Sequence, residues 1–258
     1  MSASPSAARP SARRALASAL RGLCARPAAL ALLLLVRTLQ SILTPLNNAM
    51  LAFLPAIPFW LLWTPAYYTL LFLLHAGFIR FILTVFVRGD SPRLRAFFEP
   101  FTWGFRRGVL MALAVGLLYM LTSAAPALLS VLVVYLFRLP DALTSALLVL
   151  FSVAGSLLFL HAFAAYALSK GACGLRGLFV GLRDKIAPLV FIYLIFALCS
   201  TLFTLLRALS GQPDALPALL RNASTFDILS PLGALSVLAA SLLNSLQDAA
   251  LVFLYDQK

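Results

Sequence analysis

Long apolar runs separated by short polar interruptions dominate the chain. The longest polar interruption between two of them, Arg88 to Arg107 (RGDSPRLRAFFEPFTWGFRR), carries five arginines against two acids. A weaker copy, Lys170 to Lys185 (KGACGLRGLFVGLRDK), follows the next pair of runs, and LRAFF at 94–98 is echoed by LRGLF at 175–179. A hydrocarbon layer about 30 Å thick needs about 20 apolar residues per helix. The pattern therefore predicts six transmembrane helices: Ala28 to Met50, Pro65 to Val87, Gly108 to Phe137, Ala142 to Leu168, Ile186 to Leu209 and Pro231 to Tyr255. Arg37, Gln40, Pro45, Asn47 and Asn48 weaken the first of these. Prolines 45, 55, 58 and 65 with Trp60, Trp63, Tyr67 and Tyr68 predict an uncharged turn in an aromatic belt. RLPD at 138–141 predicts a tight turn, and 210–230 the longest outer loop. Within the first basic elbow, LRAFFEPF predicts a short amphipathic helix that ends before Pro100.

Composition strengthens this reading. The chain has 258 residues, 62% of them hydrophobic and 11% charged, with a mean hydropathy of +0.99. A soluble domain is about half apolar and about a quarter charged, so no polar shell is left to cover a core. The net charge of +12 is spread between apolar runs, which fits the positive-inside bias of membrane proteins and argues against nucleic acid as a partner. The N-terminal tail, the two elbows and the C-terminus hold fifteen Lys and Arg; the outer connections hold three, Arg138, Arg207 and Arg221. Both termini are therefore expected inside, and the expected fold is an all-α polytopic helical bundle of three hairpins. Parallel repeats of this kind give pseudo-symmetry about the membrane normal.

The expected division is a basic cytoplasmic tail, 1–27, followed by a six-helix transmembrane domain, 28–258. The tail contains five arginines, many Ala and Ser and no acid; the first acid in the chain is Asp90. Leu16, Leu20 and Leu23, with Arg13, Arg14 and Arg21 elsewhere on the wheel, have the spacing of an amphipathic helix on an anionic leaflet. The same composition fits a transit peptide, which would place the protein in an organellar inner membrane instead of a cell's inner (plasma) membrane. A secretory signal is excluded because the run Ala28 to Val36 is short, Arg37 cuts it, and more hydrophobic spans follow.

Charges inside a bilayer are costly, so the intramembrane ionisable residues are the candidate functional positions. Arg80 lies eight residues from Arg88 and Asp248 eight from Asp256, which puts both about 12 Å inside the inner boundary and makes an Arg80–Asp248 ion pair the expected contact. Arg37 and His161 fall at about 13 to 16 Å and join the same layer. On the sixth span Ser236, Ala240, Asn244 and Asp248 recur at every fourth position, with Ser241, Ser245 and Gln247 beside them. On the second, Arg80 shares a side with Thr69, Ala76, Gly77 and Thr84, whereas His75 lies well around the helix and reads as a packing residue. The polar layer of Arg37, Arg80, His161, Asn244 and Asp248 is either a structural lock between helices or a path for a solute or proton. Gly108, Ala112 and Gly116, and Ser152 with Ser156, read as close helix packing, with a homo-oligomer as the alternative.

No catalytic, cofactor-binding or metal-binding residues are assigned. HExxH, GxSxG and a phosphate-binding glycine loop are absent, and no second buried carboxylate partners Asp248. The three cysteines, Cys24, Cys173 and Cys199, form no CxxC pair and no metal-spaced cluster. The sequon Asn222-Ala-Ser224 matters only in the secretory pathway, and the RGD at 88–90 is on the inner side in this topology. The hairpins, each even-numbered span followed by a glycine-containing basic elbow with an LRxxF segment, resemble a group of uncharacterised bacterial six-helix membrane proteins. That group includes the membrane portion attached to some glycerophosphodiester phosphodiesterases. The resemblance spans Ala66 to Tyr255 and implies a helical membrane fold; the phosphodiesterase domain is missing, so that activity and its site residues do not carry over.

The expected function is that of a non-enzymatic accessory or scaffold subunit of an inner-membrane assembly, with the lipid bilayer and other proteins as partners. A small-solute or ion transporter is the first alternative and an intramembrane lipid enzyme the second. Topology reporters test the arrangement: fusions at Arg95 and Arg221 are expected on opposite sides of the membrane, and a common side would contradict the helix count.

Overall fold

A computed structural model describes residues 11–258 apart from 42, 56–61, 104–109, 111, 112, 115, 116, 118–140, 171, 173, 174, 179, 210–230, 257 and 258. The described residues are all-α. Nearly all of the third expected span lies outside them, as do 138–140 of the RLPD turn, Pro58 and Trp60 of the aromatic turn, and the outer loop with its sequon.

Helix α1 covers Ala12–Cys24 and α2 covers Pro27–Gln40. Between them Arg26 takes an extended φ of −135°, because a following proline disfavours the helical region. Pro27 then opens α2 at the first position, where its missing N–H costs no hydrogen bond. The two helices are bent by 101° at this corner. The first expected span is not one helix: α2 stops at Ser41, whose amide and hydroxyl turn back onto the Arg37 and Thr38 carbonyls, and α3 restarts over Leu43–Phe53. Pro45 explains the break. In a continuous helix its ring would clash with the Ser41 carbonyl, whereas in the first turn of α3 it is tolerated.

Helix α4, Thr64–Ile82, widens into a π-helical turn at Leu83–Val87. The turn closes through Arg88 N–H to the Leu83 carbonyl and Asp90 N–H to that of Thr84, each 3.0 Å, and Gly89 leaves the helix at a φ of +90°. Helix α5, Arg95–Thr102, runs past Pro100 instead of ending before it. The helix ends two residues later, so the proline removes a single carbonyl's partner, and the Thr102 hydroxyl caps the Glu99 carbonyl. Then follow α6 (Asp141–Leu168), the short α7 (Leu175–Leu178), α8 (Leu182–Leu209) and α9 (Pro231–Asp256). Among the described residues, three segments are long and apolar enough to cross a membrane: Thr64–Val87, Leu182–Leu202 and Leu235–Asp256; the bent α1–α2 pair makes a fourth if taken as one broken span.

The chain forms two compact units. The first holds residues 1–52, 81–92 and 187–258. Here α1 packs along α9 through Ala12, Ala15, Ala19 and Leu23, with Gly22 directly under the Phe253 ring. The buried face is thus alanine-rich and not the Leu16–Leu20–Leu23 stripe; Leu20 is half exposed. Small side chains win because they let two helices approach closely. Ala29, Leu33 and Arg37 form the buried stripe of α2, which also meets α9. At the corner, the Arg26 guanidinium donates to the Val85 and Asp90 carbonyls. A cation there satisfies carbonyls that the helix end leaves open and complements its dipole.

The second unit holds residues 53–80 and 93–186. Its core is aromatic: Phe72 of α4 lies 5.1 Å from Phe163 and 5.0 Å from Tyr166 of α6, ring centre to ring centre. His75 stacks on Phe163 at 5.0 Å and donates through Nδ1 to the Leu71 carbonyl, 3.0 Å away, one turn back, the packing role its position suggested. Helix α5 crosses α4 at Gly77, where an added Cβ would collide with the Phe97 carbonyl oxygen. That atom is backbone and has no rotamer to escape into. Gly77→Ala is expected to cost about 1 to 3 kcal/mol, read as a lower thermal midpoint in detergent. Gly22→Ala, which would meet only the far edge of the Phe253 ring at 3.0 Å, should cost clearly less.

Candidate functional site

Two ion pairs occur among the described residues, and each involves an arginine from within an apolar helix. In the first unit the Arg37 guanidinium donates through Nη2 to the Asp248 carboxylate. Both side chains are nearly sealed, at 6% and 8% exposed. Thr38 and Ser241 place their hydroxyls 3.5 Å apart on the next step of the same interface, and Ser245, fully buried, turns its hydroxyl onto the Ser241 carbonyl. The buried polar residues of α9 are therefore Ser236, Ser241, Ser245 and Asp248.

In the second unit Arg80 engages Glu99 with both ends of its fork, Nε to Oε2 at 2.7 Å and Nη2 to Oε1 at 3.1 Å. A bidentate pair of this kind fixes orientation as well as charge. The elbow supplies the acid because α5 folds back over α4 instead of projecting away. Burial alone would raise the Glu99 pKa, but the Arg80 hydrogen bond and charge outweigh it, with Trp103 and Lys170 adding to them, and hold it below 4.5. The buried indole N–H of Trp103 contributes from outside full hydrogen-bond geometry.

The second elbow repeats this device with different chemistry. His161 of α6, 1% exposed, hydrogen-bonds the Val180 carbonyl. His161 stands 81 residues after Arg80, Val180 stands 81 after Glu99, and LRGLF stands 81 after LRAFF. Lys170, at a φ of +52°, stands the same distance after Gly89 at +90°. In each half, then, a left-handed residue ends the span, the elbow turns back, and its residue at one fixed position reaches a buried polar side chain at another.

Of the five residues expected in one polar layer, Arg37 and Asp248 meet directly. Arg80 and His161 each engage an elbow, so the expected Arg80–Asp248 contact is replaced by two separate pairings. Asn244 is exposed on α9. Steps of four residues drift about 40° each around a helix, so Ser236, Ala240, Asn244 and Asp248 cannot share one buried line. Glu99 was missed because its segment read as a surface helix. The signals for it were a lone acid in a basic elbow and the fixed spacing of the two LRxxF copies.

The class that these features define is an all-α protein with three or four membrane-length apolar helices among the described residues, compatible with an integral membrane protein. No protein-family model, no curated protein and no solved structure matches the chain.

Removing one member of the buried pair leaves its partner charged and uncompensated. Asp248→Asn and Arg37→Met are each expected to cost about 3 to 5 kcal/mol, whereas Arg37→Met combined with Asp248→Leu should recover most of that loss in thermal unfolding. Acidification tests the other pair. Because the folded Glu99 carboxyl binds its proton more weakly than the unfolded one, its stabilising effect is complete above 4.5 and fades as pH falls through the depressed folded value. Glu99→Gln should flatten that acid limb of the stability profile, and an unchanged limb would contradict the assignment.

Proposed function

We propose that this chain is a multi-pass membrane protein serving as a non-enzymatic accessory or scaffold subunit. The observation that carries the reading is an inverted distribution of polarity. Arg37, Arg80 and Asp248 are 4 to 6% exposed, while Leu194, Leu198 and Leu202, one row of α8, are 50 to 61% exposed. An unbroken apolar face of this kind is unfavourable in water and suits hydrocarbon. The enclosure of the helices is graded in the same sense: 67% of the apolar window of Thr64–Val87 is buried, against 17% for Leu182–Leu202.

The topology we propose is six spans in three hairpins, with both termini on the side that carries the basic elbows. The packing of α1 against the last turns of α9 supports common sidedness of the two ends. It also favours a retained N-terminal segment over a cleaved transit peptide, since a cleaved segment would leave the Phe253 region of α9 bare. A cell inner membrane is the matching location. The likeness of the elbows to bacterial six-helix membrane proteins belongs to this proposal and carries no phosphodiesterase activity with it.

The scaffold role follows from the charges being consumed by one another. A conducting path needs polar groups that water or solute can reach, and the Ser241–Ser245–Asp248 row is closed by Arg37 and by helix packing. Single cysteines at Ser241 and Ser245 are therefore expected to resist a membrane-impermeant maleimide added from either side, while a cysteine at exposed Arg93 reacts. Labelling of both serine positions would overturn the scaffold reading in favour of transport.

A further inference from the structure

We propose that the outward face of α1 is a docking surface for the anionic headgroups of the membrane in which the chain sits, an inference that rests on the membrane reading above. One face of α1 is already committed: Ala12, Ala15, Ala19 and Leu23 are buried against α9. What remains outward is Arg13, Arg14, Ala17, Leu20 and Arg21. On the helical wheel Leu16 and Leu20, with Arg13 beside Leu20, lie on one edge of this face, and Arg14 and Arg21 lie on the other. Such a division lets a helix lie at an interface with leucines toward the acyl chains and guanidinium groups among the phosphates.

Three further observations point to headgroups as the occupant. The 101° corner turns α1 away from α2 and brings Gly22 beneath Phe253, in the last turn of α9, at the end of that span. The face has no acid of its own, and none occurs before Asp90. Arg88, exposed at the end of the π turn that α1 also touches, extends the positive surface. Because α9 and the Arg26 clasp hold α1 in place, the arginines are presented with little ordering left to do, and guanidinium groups match phosphate oxygens in pairs. An acidic protein segment is the competing occupant; bound lipid is favoured because the leucine edge would otherwise face water.

The test uses the full chain with Cys173→Ser and Cys199→Ser, leaving the exposed Cys24 as the single site for an environment-sensitive fluorophore. The protein is reconstituted in phosphatidylcholine vesicles with or without phosphatidylglycerol, and quenching by neutral acrylamide is measured. Phosphatidylglycerol is expected to lower quenching roughly twofold or more, with the effect weakened by high salt and lost in Arg13→Gln/Arg14→Gln/Arg21→Gln. Equal quenching in both vesicles, or protection that survives in the triple variant, would overturn the proposal, including in favour of a protein occupant. Alkaline carbonate extraction of the same vesicles separates the two levels. A protein that resists extraction but shows no lipid dependence defeats only the headgroup surface, whereas a protein that is extracted defeats the membrane reading beneath it.

Discussion

A guanidinium and a carboxylate from residues 211 positions apart meet out of water in this protein, and the first compact unit is arranged around that contact. Neither Arg37 nor Asp248 could rest in an apolar interface alone, since an isolated buried charge costs several kcal/mol. Together they bring α2 and α9 into register. Once that register holds, Thr38 lies against Ser241, the Ala29–Leu33–Arg37 stripe is covered, and the corner at Arg26 carries α1 onto the far end of α9. The same corner reaches the end of α4, where Arg26 takes the open carbonyls of Val85 and Asp90. The beginning and the end of the chain thus close on each other through a few polar contacts set in apolar packing.

The second unit answers the same constraint with a different partner. Arg80 takes its counter-charge from Glu99 in a helix that folds back across α4, and the fold-back is possible because Gly77 leaves room for the Phe97 carbonyl. One half later His161 reaches the Val180 carbonyl from the matching position. A charged side chain demands an acid and an imidazole is satisfied by a backbone oxygen, which accounts for Glu at 99 and an apolar residue at 180. The buried charges Arg37, Asp248 and Arg80 each meet an opposite charge within the protein, as a low-dielectric setting requires, and this ties the fold to the proposed scaffold role.

Helix placement was legible from hydrophobic patterning because apolar length is what a bilayer-sized helix must conserve. Thr64–Val87, Asp141–Leu168 and Pro231–Asp256 fall within a residue of the expected runs at each end. The break inside the first run was signalled by Pro45, though hydropathy averaged over it. Depth along a helix singled out Arg37, Arg80, His161 and Asp248, all of which are buried. It could not assign their partners, because depth carries no information about azimuth or about which segment folds back. Glu99 is the clearest case: its partner lies 19 residues away through a turn whose direction depends on Gly77, Gly89 and aromatic packing. The alanine face of α1 was hidden for a related reason, since hydrophobicity ranks leucine above alanine whereas close helix contact reverses that order.

The measurement that bears most directly on this account is disulfide trapping in native membranes between Thr38→Cys and Ser241→Cys, with Cys24, Cys173 and Cys199 replaced by serine. Their hydroxyl oxygens lie 3.5 Å apart, so mild oxidation should join them rapidly, leaving a compactly migrating chain that reverts on reduction. If the pair stays reduced while both cysteines remain free to react with maleimide once the protein is denatured, α2 and α9 do not meet at the Arg37–Asp248 level, and the closure of the chain on itself is wrong.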